Sequence, residues 1–451
     1  MITTKQKYLA TLTFCACTLS VQAQEAWSLK QCIDYAIEHN LTIKQQEASR
    51  DQSEVELNTA KWSRLPDLNG SASHSFNFGR SLQADNTYQS INTQNTGLNL
   101  TTSVPLFTGM QIPHSISLAK LNLKAAIEDL NKAKEDISIQ VASAYLQVLF
   151  NEELAKVAHQ QVSLSQEMLK QKEAYYQNGK ASEAEWREAQ SRVAQDQLSA
   201  VQADNNYQLA LLDLSQLLEL PSPDDFRIVS PEVDEQALTA SLTSPTEIYS
   251  QAVLSKPSIL AAQYRLEGAR HNIRIAQSRY YPQLNFGAGL STNYYNVSGR
   301  ENGNFGAQLR DNFSQYIGLS LSIPIFNRFS TRNQVRSARI QQSNLNWQLE
   351  ESKKTLYKEI QQAYYNALGA ESKLQSSRTA DEAAEASFLL MKEKYANGKA
   401  NATEYNEART NWMKAVSDRI QAKYDFIFRT KILDFYKGVP LVLIQNYFTP
   451  F

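Results

Sequence analysis

Cysteine is nearly absent from this chain. Of three in 451 residues, Cys15 and Cys17 lie close to the N-terminus and only Cys32 lies beyond them. A lone cysteine forms no internal disulfide, so stability must come from packing or assembly. An excess charge of one sign is missing too: 45 Lys and Arg against 46 Asp and Glu leave a net charge of −1. Such a chain has no field to gather nucleic acid or an anionic membrane surface. The five histidines, His39, His74, His114, His159 and His271, are scattered, with no HExxH and no cysteine-rich metal spacing. There is no P-loop and no dinucleotide-binding glycine pattern, so neither a cofactor nor an enzymatic activity is expected. Mean hydropathy is −0.46, and past the N-terminus no apolar run reaches the roughly 18 residues of a membrane-spanning helix.

The N-terminus itself reads as a targeting segment, residues 1–23. Lys5 and Lys7 give a basic start, Tyr8 to Ser20 an apolar core, and Val21-Gln22-Ala23 the small residues of a cleavage site. The mature chain is expected to begin at Gln24, outside the cytoplasm. The rival reading makes Cys17, preceded by Ala16, a lipidated first residue; Phe14 and Cys15 fit that signal poorly.

What the chain does have is duplication. YQNGKASEAEWREAQ at 176–190 returns as YANGKANATEYNEAR at 395–409, an offset of 219 that maps Tyr176 onto Tyr395, Gly179 onto Gly398 and Glu185 onto Glu404. An active site is rarely needed twice in one chain, whereas a symmetric scaffold repeats by construction.

Each half opens with a helical pattern. The first runs from Leu29, N-capped by Ser28, to about Trp62; the second starts near Thr246. Leu65-Pro66 and Tyr281-Pro282 end them, at a spacing of 216, because proline lacks the N–H and disfavours helix at the preceding residue. The smaller spacing puts a length difference in the segments that follow.

Those segments alternate with period two. Leu284, Phe286, Ala288, Leu290, Thr292 and Tyr294 oppose Gln283, Asn285, Gly287, Gly289, Ser291 and Asn293. In the first half Leu68, Gly70, Ala72, His74, Phe76 and Phe78 oppose Asn69, Ser71, Ser73, Ser75 and Asn77. Return strands follow, with Leu98, Leu100, Thr102 and Val104, and with Ile317, Leu319, Leu321 and Ile323, on their apolar faces. A soluble sandwich would show the same alternation. Strands of this length also suit a tilted crossing of a bilayer with small polar residues toward a watery lumen. Four strands cannot close, and an open edge is not tolerated in lipid, so a membrane barrel would need several chains.

Val104-Pro105-Leu106-Phe107 and Ile323-Pro324-Ile325-Phe326 close the return strands. Long helices follow, from about Pro113 to Tyr176 and from about Arg332 to Tyr395, each about 100 Å at 1.5 Å per residue. Leu123, Ile127, Leu130, Ile137, Val141, Ala144 and Val148 form an apolar stripe at spacings of three, four or seven, which packs helices and binds no cofactor. Asn178-Gly179 and Asn397-Gly398 break these helices, and new ones run back to about Leu220 and Lys437. Between the halves, Pro221 to Pro245 is a polar connector.

In this order the elements resemble the TolC-type outer-membrane efflux family over essentially the whole mature chain. The resemblance implies a mixed α+β fold with two internal repeats. Long antiparallel helical hairpins would form an α-barrel, and four membrane strands per chain would close a twelve-stranded barrel in a homotrimer. On that plan residues 24–220 are the first repeat, with a β-hairpin at 67–105 and a helical hairpin at 111–220. An equatorial connector at 221–245 leads to the second repeat at 246–437, with its hairpins at 282–324 and 331–437, and a tail at 438–451. The expected site is the outer membrane with a periplasmic extension. The expected partners are two further copies, outer-membrane lipid, a periplasmic adaptor, and an inner-membrane efflux pump or ABC transporter.

Carried onto this sequence, Asn178, Gly179, Lys180, Asn397, Gly398 and Lys399 would be adaptor-docking tips, and Pro66, Pro105, Pro282 and Pro324 helix–strand junctions. Tyr176 and Tyr395 would stand at the tunnel entrance. Glu185 and Glu188, and Glu404 and Glu407, each three apart and so on one helical face, would line that entrance as carboxylate rings that favour cations and raise one another's pKa. Glu404 and Glu407 are preferred because Arg187 adjoins Glu188. The family can close the entrance with an arginine two residues after the second glycine. Here that position is Ala400, and its first-half equivalent is Ala181, leaving Lys180 or Lys399 as substitutes or the entrance leaky. A periplasmic coiled-coil structural protein or soluble adhesin would also use the helices, but it gives the two-faced strands no purpose. Acid pairs of this spacing also occur in glycosidases, which would require a strand scaffold around them that is missing here.

Overall fold

A run of 67 helical residues twice in one chain sets the plan. The computed structural model describes residues 26–82, 86–221, 226–230 and 243–441. The expected targeting segment, Cys17, most of the expected connector and the last ten residues of the tail lie outside these. In chain order the elements are α1 (Leu29–His39), α2 (Leu41–Trp62), β1 (Asn69–Asn77), β2 (Arg80–Leu82), β3 (Tyr88–Ser90), β4 (Thr93–Phe107), α3 (Gln111–Gln177) and α4 (Glu183–Leu217). The second half follows with α5 (Pro245–Ser255), α6 (Pro257–Ser278), β5 (Gln283–Val297), α7 (Phe305–Asp311), β6 (Ser314–Ser322), α8 (Ser330–Ala396) and α9 (Ala402–Tyr436). The 216 offset carries α1 and α2 onto α5 and α6; the 219 offset carries α3 and α4 onto α8 and α9. The three extra residues therefore lie between α6 and α8, the segment that holds the second pair of strands.

The single helix expected over 29–62 is two. Ser28 caps α1 with a capping box closed by Gln31, but Asn40 leaves the helix at φ −61°, ψ 130°. Its Oδ1 then accepts from the Thr42 N–H at 2.9 Å, so Asn40 stops one helix and caps the next. The second half breaks at the equivalent Lys256, which Pro257 forces out of the helical region.

The chain falls into two compact units. One comprises Gln45–Lys132 and Leu254–Thr355. Its sheet is antiparallel in the order β1-β4-β5-β6. The register sets Ala72, Leu98 and Thr292 side by side, then Gly70, Leu100 and Leu290, then Val104, Phe286 and Leu319. One face is thus apolar, with Leu98, Leu100, Leu290, Ile317, Leu319 and Leu321 exposed on it. The opposite face carries Ser71, Ser73, Asn99, Ser291 and Ser320. β1 and β6 are each paired on one side only among the described residues. A two-stranded ribbon, β2 with β3, continues the first hairpin. The short helix α7 lies outside the expected elements; Asn304 caps it, and Gln308 binds both backbone groups of Tyr295 on β5.

Pro105 is not a junction residue. β4 continues through it to Phe107, with the ladder shifting between the two, a bulge that accommodates the missing donor. Pro66, Pro282 and Pro324 do lie in connections between elements. The turn from strand to long helix uses two consecutive left-handed residues in both halves, Gly109 and Met110 at φ 62° and 67°, and Arg328 and Phe329 at 53° and 60°.

The other unit comprises Met1–Lys44, Ala133–Val253 and Leu356–Phe451. Its core is an apolar seam that includes Val141, Val148, Leu211, Leu214, Ile360, Ala367 and Ile427. Tyr145 is buried there, and its hydroxyl donates to the carbonyl oxygens of Trp27 and Val229 at 3.1 and 2.5 Å. That bond ties the start of the chain and the connector to α3. Of the expected stripe, Leu130, Ile137, Val141 and Val148 are buried while Ile127 is exposed.

Candidate functional site at the hairpin tips

The two NGK turns are built alike. Gly179 and Gly398 both sit at φ 69°, and the following Lys180 and Lys399 amides donate back to Tyr175 and Lys394 at 2.8 Å. This is the left-handed closure of a helix end that glycine makes at no steric cost. Asn178 and Asn397 donate from their side chains to the carbonyls of Ala174 and Glu393, which satisfies two more helix-end acceptors. A Cβ added at either glycine would meet nothing within 4 Å, so the glycines are set by the left-handed backbone and not by crowding.

The next helix starts with a capping box in each half, and the acids of interest close it. Glu185 accepts from the Ser182 N–H at 2.9 Å while Ser182 accepts from the Glu185 N–H. Glu404 and Asn401 do the same. Two of the four expected ring carboxylates therefore hold their own helix starts. The bond to the Ser182 N–H, followed by that to Lys172, keeps Glu185 below its ordinary pKa, the opposite direction from the mutual raising expected of crowded acids. Glu188 and Glu407 are exposed on the same faces, and Glu188 accepts from Asn406 at 3.4 Å.

The tyrosines expected at the entrance are pinned by aromatic partners. Tyr176 stacks on Trp186 with ring centroids 5.2 Å apart, and Tyr395 stacks on Tyr405 at 5.0 Å. Trp186 and Tyr405 are equivalent at the 219 offset, so the aromatic pair is itself duplicated and visible in the sequence.

The two hairpins meet through Lys172, a residue without a counterpart in kind, since the 219 offset places Met391 there. Its ammonium lies 3.2 Å from Glu185 Oε1 and 4.9 Å from the centre of the Tyr395 ring. Burial works to lower the Lys172 pKa, but hydrogen bonds to Tyr395 and Glu185 outweigh it and the value is raised. Lys180 and Lys399, the substitutes considered for the missing arginine, enter no ion pair among the described residues. Ala181 and Ala400 have no polar side-chain atom with which to make one.

Behind this contact lies a cavity of about 50 Å³ lined by residues that include Lys172, Glu185, Arg192, Tyr395, Tyr405 and Arg409. Its floor holds a buried ion pair. Arg409, 2% exposed, binds Asp196, which Arg192 also approaches at 3.3 Å, and the Gln161 carboxamide oxygen accepts from Arg409 when turned toward it. The Tyr405 hydroxyl is buried without a partner among the described residues, and burial first, with Tyr395 adding, raises its pKa. The site thus fastens two hairpins and holds no grouping of three or more potential metal ligands among the described residues.

The comparisons with known proteins agree with this architecture. The BepC outer membrane efflux protein of Brucella suis is 20% identical over 428 residues, 94% of this chain and 88% of that protein. Outer membrane protein TolC of Escherichia coli K12 is 23% identical over 410 residues, 89% and 80% of the two chains. The solved structure of CusC, described with its transmembrane channel formation, superposes with a TM-score of 0.75 at 16% identity, covering 91% of this chain and 92% of that one. The outer membrane efflux protein family matches residues 32–219 and 248–428, and the chain belongs to that family.

Proposed function

We propose that three copies of this chain close their sheets into one twelve-stranded barrel, and that the helical hairpins of the trimer form the periplasmic tunnel that leads to it. Efflux through the outer membrane is the work of the family and of this chain. The observation that supports a shared barrel is the sheet: four strands, two edges open, one face apolar and exposed, the other lined with Ser, Asn, Thr and Gly. Lipid tolerates no unpaired strand edge, and four strands cannot close on themselves. Joining β1 of one copy to β6 of the next satisfies both edges and turns every apolar face outward. A periplasmic structural protein would leave that apolar face in water.

In this reading the NGK tips at 178–180 and 397–399 dock a periplasmic adaptor, which couples the tunnel to an inner-membrane efflux pump or ABC transporter. Glu188 and Glu407 supply the exposed carboxylates of the entrance, while Glu185 and Glu404 keep their helix starts and add charge beside them. Lys172 takes the closing role for which Ala400 lacks a polar group, since it joins Glu185 of one hairpin to Tyr395 of the other. Residues 24–220 and 246–437 are the two repeats, separated by the connector.

Cysteine cross-linking of the edges tests the shared barrel. In a Cys32→Ser background, single cysteines at Ser71 or Ser73 are combined with one at Ser320 or Ser322, all on the polar face. Oxidation in native outer membranes should give covalent dimers and trimers for at least one combination. Monomers for every combination would overturn the shared barrel.

A further inference from the structure

One pair of side chains plays no part in the channel reading. His114 lies in the first turn of α3 and His271 in α6, 157 positions apart in the chain, yet their Nδ1 atoms are 3.2 Å apart. Both rings are half-buried, with centroids 5.4 Å apart and planes tilted by 49°. At that distance one ring in its Nδ1–H tautomer donates a hydrogen bond to Nδ1 of the other.

The helices that carry the rings are firmly joined in the same compact unit. A Cβ on Gly268 would lie 3.1 Å from Leu118, and Arg265 of α6 pairs with Asp129 of α3. Near the start of α3, a Cβ on Gly109 would lie 2.6 Å from the Ser278 carbonyl oxygen. These contacts lie on both sides of the histidines and fix their separation.

That separation has a chemical meaning. Zinc holds imidazole nitrogen at about 2.0–2.1 Å, so two nitrogens of one tetrahedral ion stand about 3.3–3.4 Å apart. Ligands at right angles, as in octahedral or square-planar sites, would need about 2.9 Å at the same bond length. The observed 3.2 Å is closer to the tetrahedral spacing. We propose that His114 and His271 form a two-histidine site for a tetrahedral divalent cation of the zinc class, which clips α3 to α6. Binding puts the metal where the shared proton was; that proton passes to Nε2 of the ring that donated it, so both rings ligate as neutral imidazoles. Water fills the remaining positions, because no third His, Cys, Asp or Glu joins the pair among the described residues. Arg274, one turn beyond His271 and electrostatically coupled to His114, weakens the site by repulsion.

The test uses the full chain in detergent with Zn²⁺ as ligand, read by calorimetry and thermal unfolding, and with Co²⁺ as a spectroscopic probe. The wild type should show a Zn²⁺-dependent rise in melting temperature and the intense visible absorption of tetrahedral Co²⁺. His114→Gln and His271→Gln, which keep a hydrogen-bonding side chain, should each weaken Zn²⁺ at least tenfold and abolish the Co²⁺ band. Arg274→Gln should tighten binding several-fold. His159→Gln, which removes an exposed histidine that faces Asp204 elsewhere, should change nothing. Binding that survives both histidine substitutions, or an octahedral Co²⁺ spectrum, would overturn the proposal. So would a wild type with no response to Zn²⁺, which would leave the pair a hydrogen bond alone.

Discussion

Replacing Lys172 by methionine removes the charge that ties the two hairpins and keeps most of the side-chain volume. The Lys172 side chain is 14% exposed and that of Glu185 42%, so their ion pair belongs near the upper end of the exposed range, about 1 kcal/mol. The ammonium above the Tyr395 ring, at 4.9 Å, adds about 1 kcal/mol in such a partly desolvated place. The tie is therefore about 2 kcal/mol per chain, roughly thirtyfold in the ratio of closed to open. Three chains opening together would change that ratio by about 10⁴. Glu185 keeps its capping box with Ser182, so the hairpin itself should still form. Single-channel conductance in lipid bilayers measures the result: Lys172→Met should dwell in larger conductance states, and Tyr395→Leu should do the same. Combined, they should exceed Lys172→Met only by what the Tyr405 stack contributes. Wild-type conductance in both single variants would refute the assignment of Lys172 as the closing residue.

Acid and base should act on this tie only at the extremes. The part Glu185 contributes is complete at neutral pH and disappears as pH falls through its lowered pKa; the part Lys172 contributes is lost only as pH rises through its raised one. Conductance should be flat between, and an opening transition near neutral pH would contradict this. Asp196→Ala strands the buried Arg409 and should cost about 3–5 kcal/mol, whereas Asp196→Leu combined with Arg409→Met should recover most of it; thermal unfolding of the extracted particle decides. In the same assay Gly109→Ala should be strongly destabilising, since φ is 62° and the Ser278 carbonyl lies 2.6 Å from the new Cβ. Arg328→Gly, at the matching left-handed position of the other half, should instead stabilise by about 0.5–1 kcal/mol.

The duplication made most of the fold legible. Every long helix has its copy at an offset of 219, and a period-two stretch beside a proline says strand without reference to anything distant. The breaks were harder. Pro257 is a local signal for the interruption of the second-half helix, but Asn40 interrupts the first by capping with its own side chain, which a helical stripe does not reveal. Pro105 looks like a stop because a bulge cannot be read from one strand alone. At the tips, the glycine turns and the capping boxes are short-range and visible, and so are Trp186 and Tyr405 once the halves are aligned. Lys172, Asp196 and Arg409 are not, because each contact joins hairpins far apart in sequence. The offset does not help either: it pairs them with Met391, Ala415 and Gln190, so the two halves share a scaffold but differ in the polar groups that fasten them.

The central claim is that one chain is a third of a barrel. Its most direct test is the native mass of the particle extracted in mild detergent from fractionated cells. A trimer from the outer-membrane fraction is the predicted result; a water-soluble monomer in the periplasmic fraction would contradict the account.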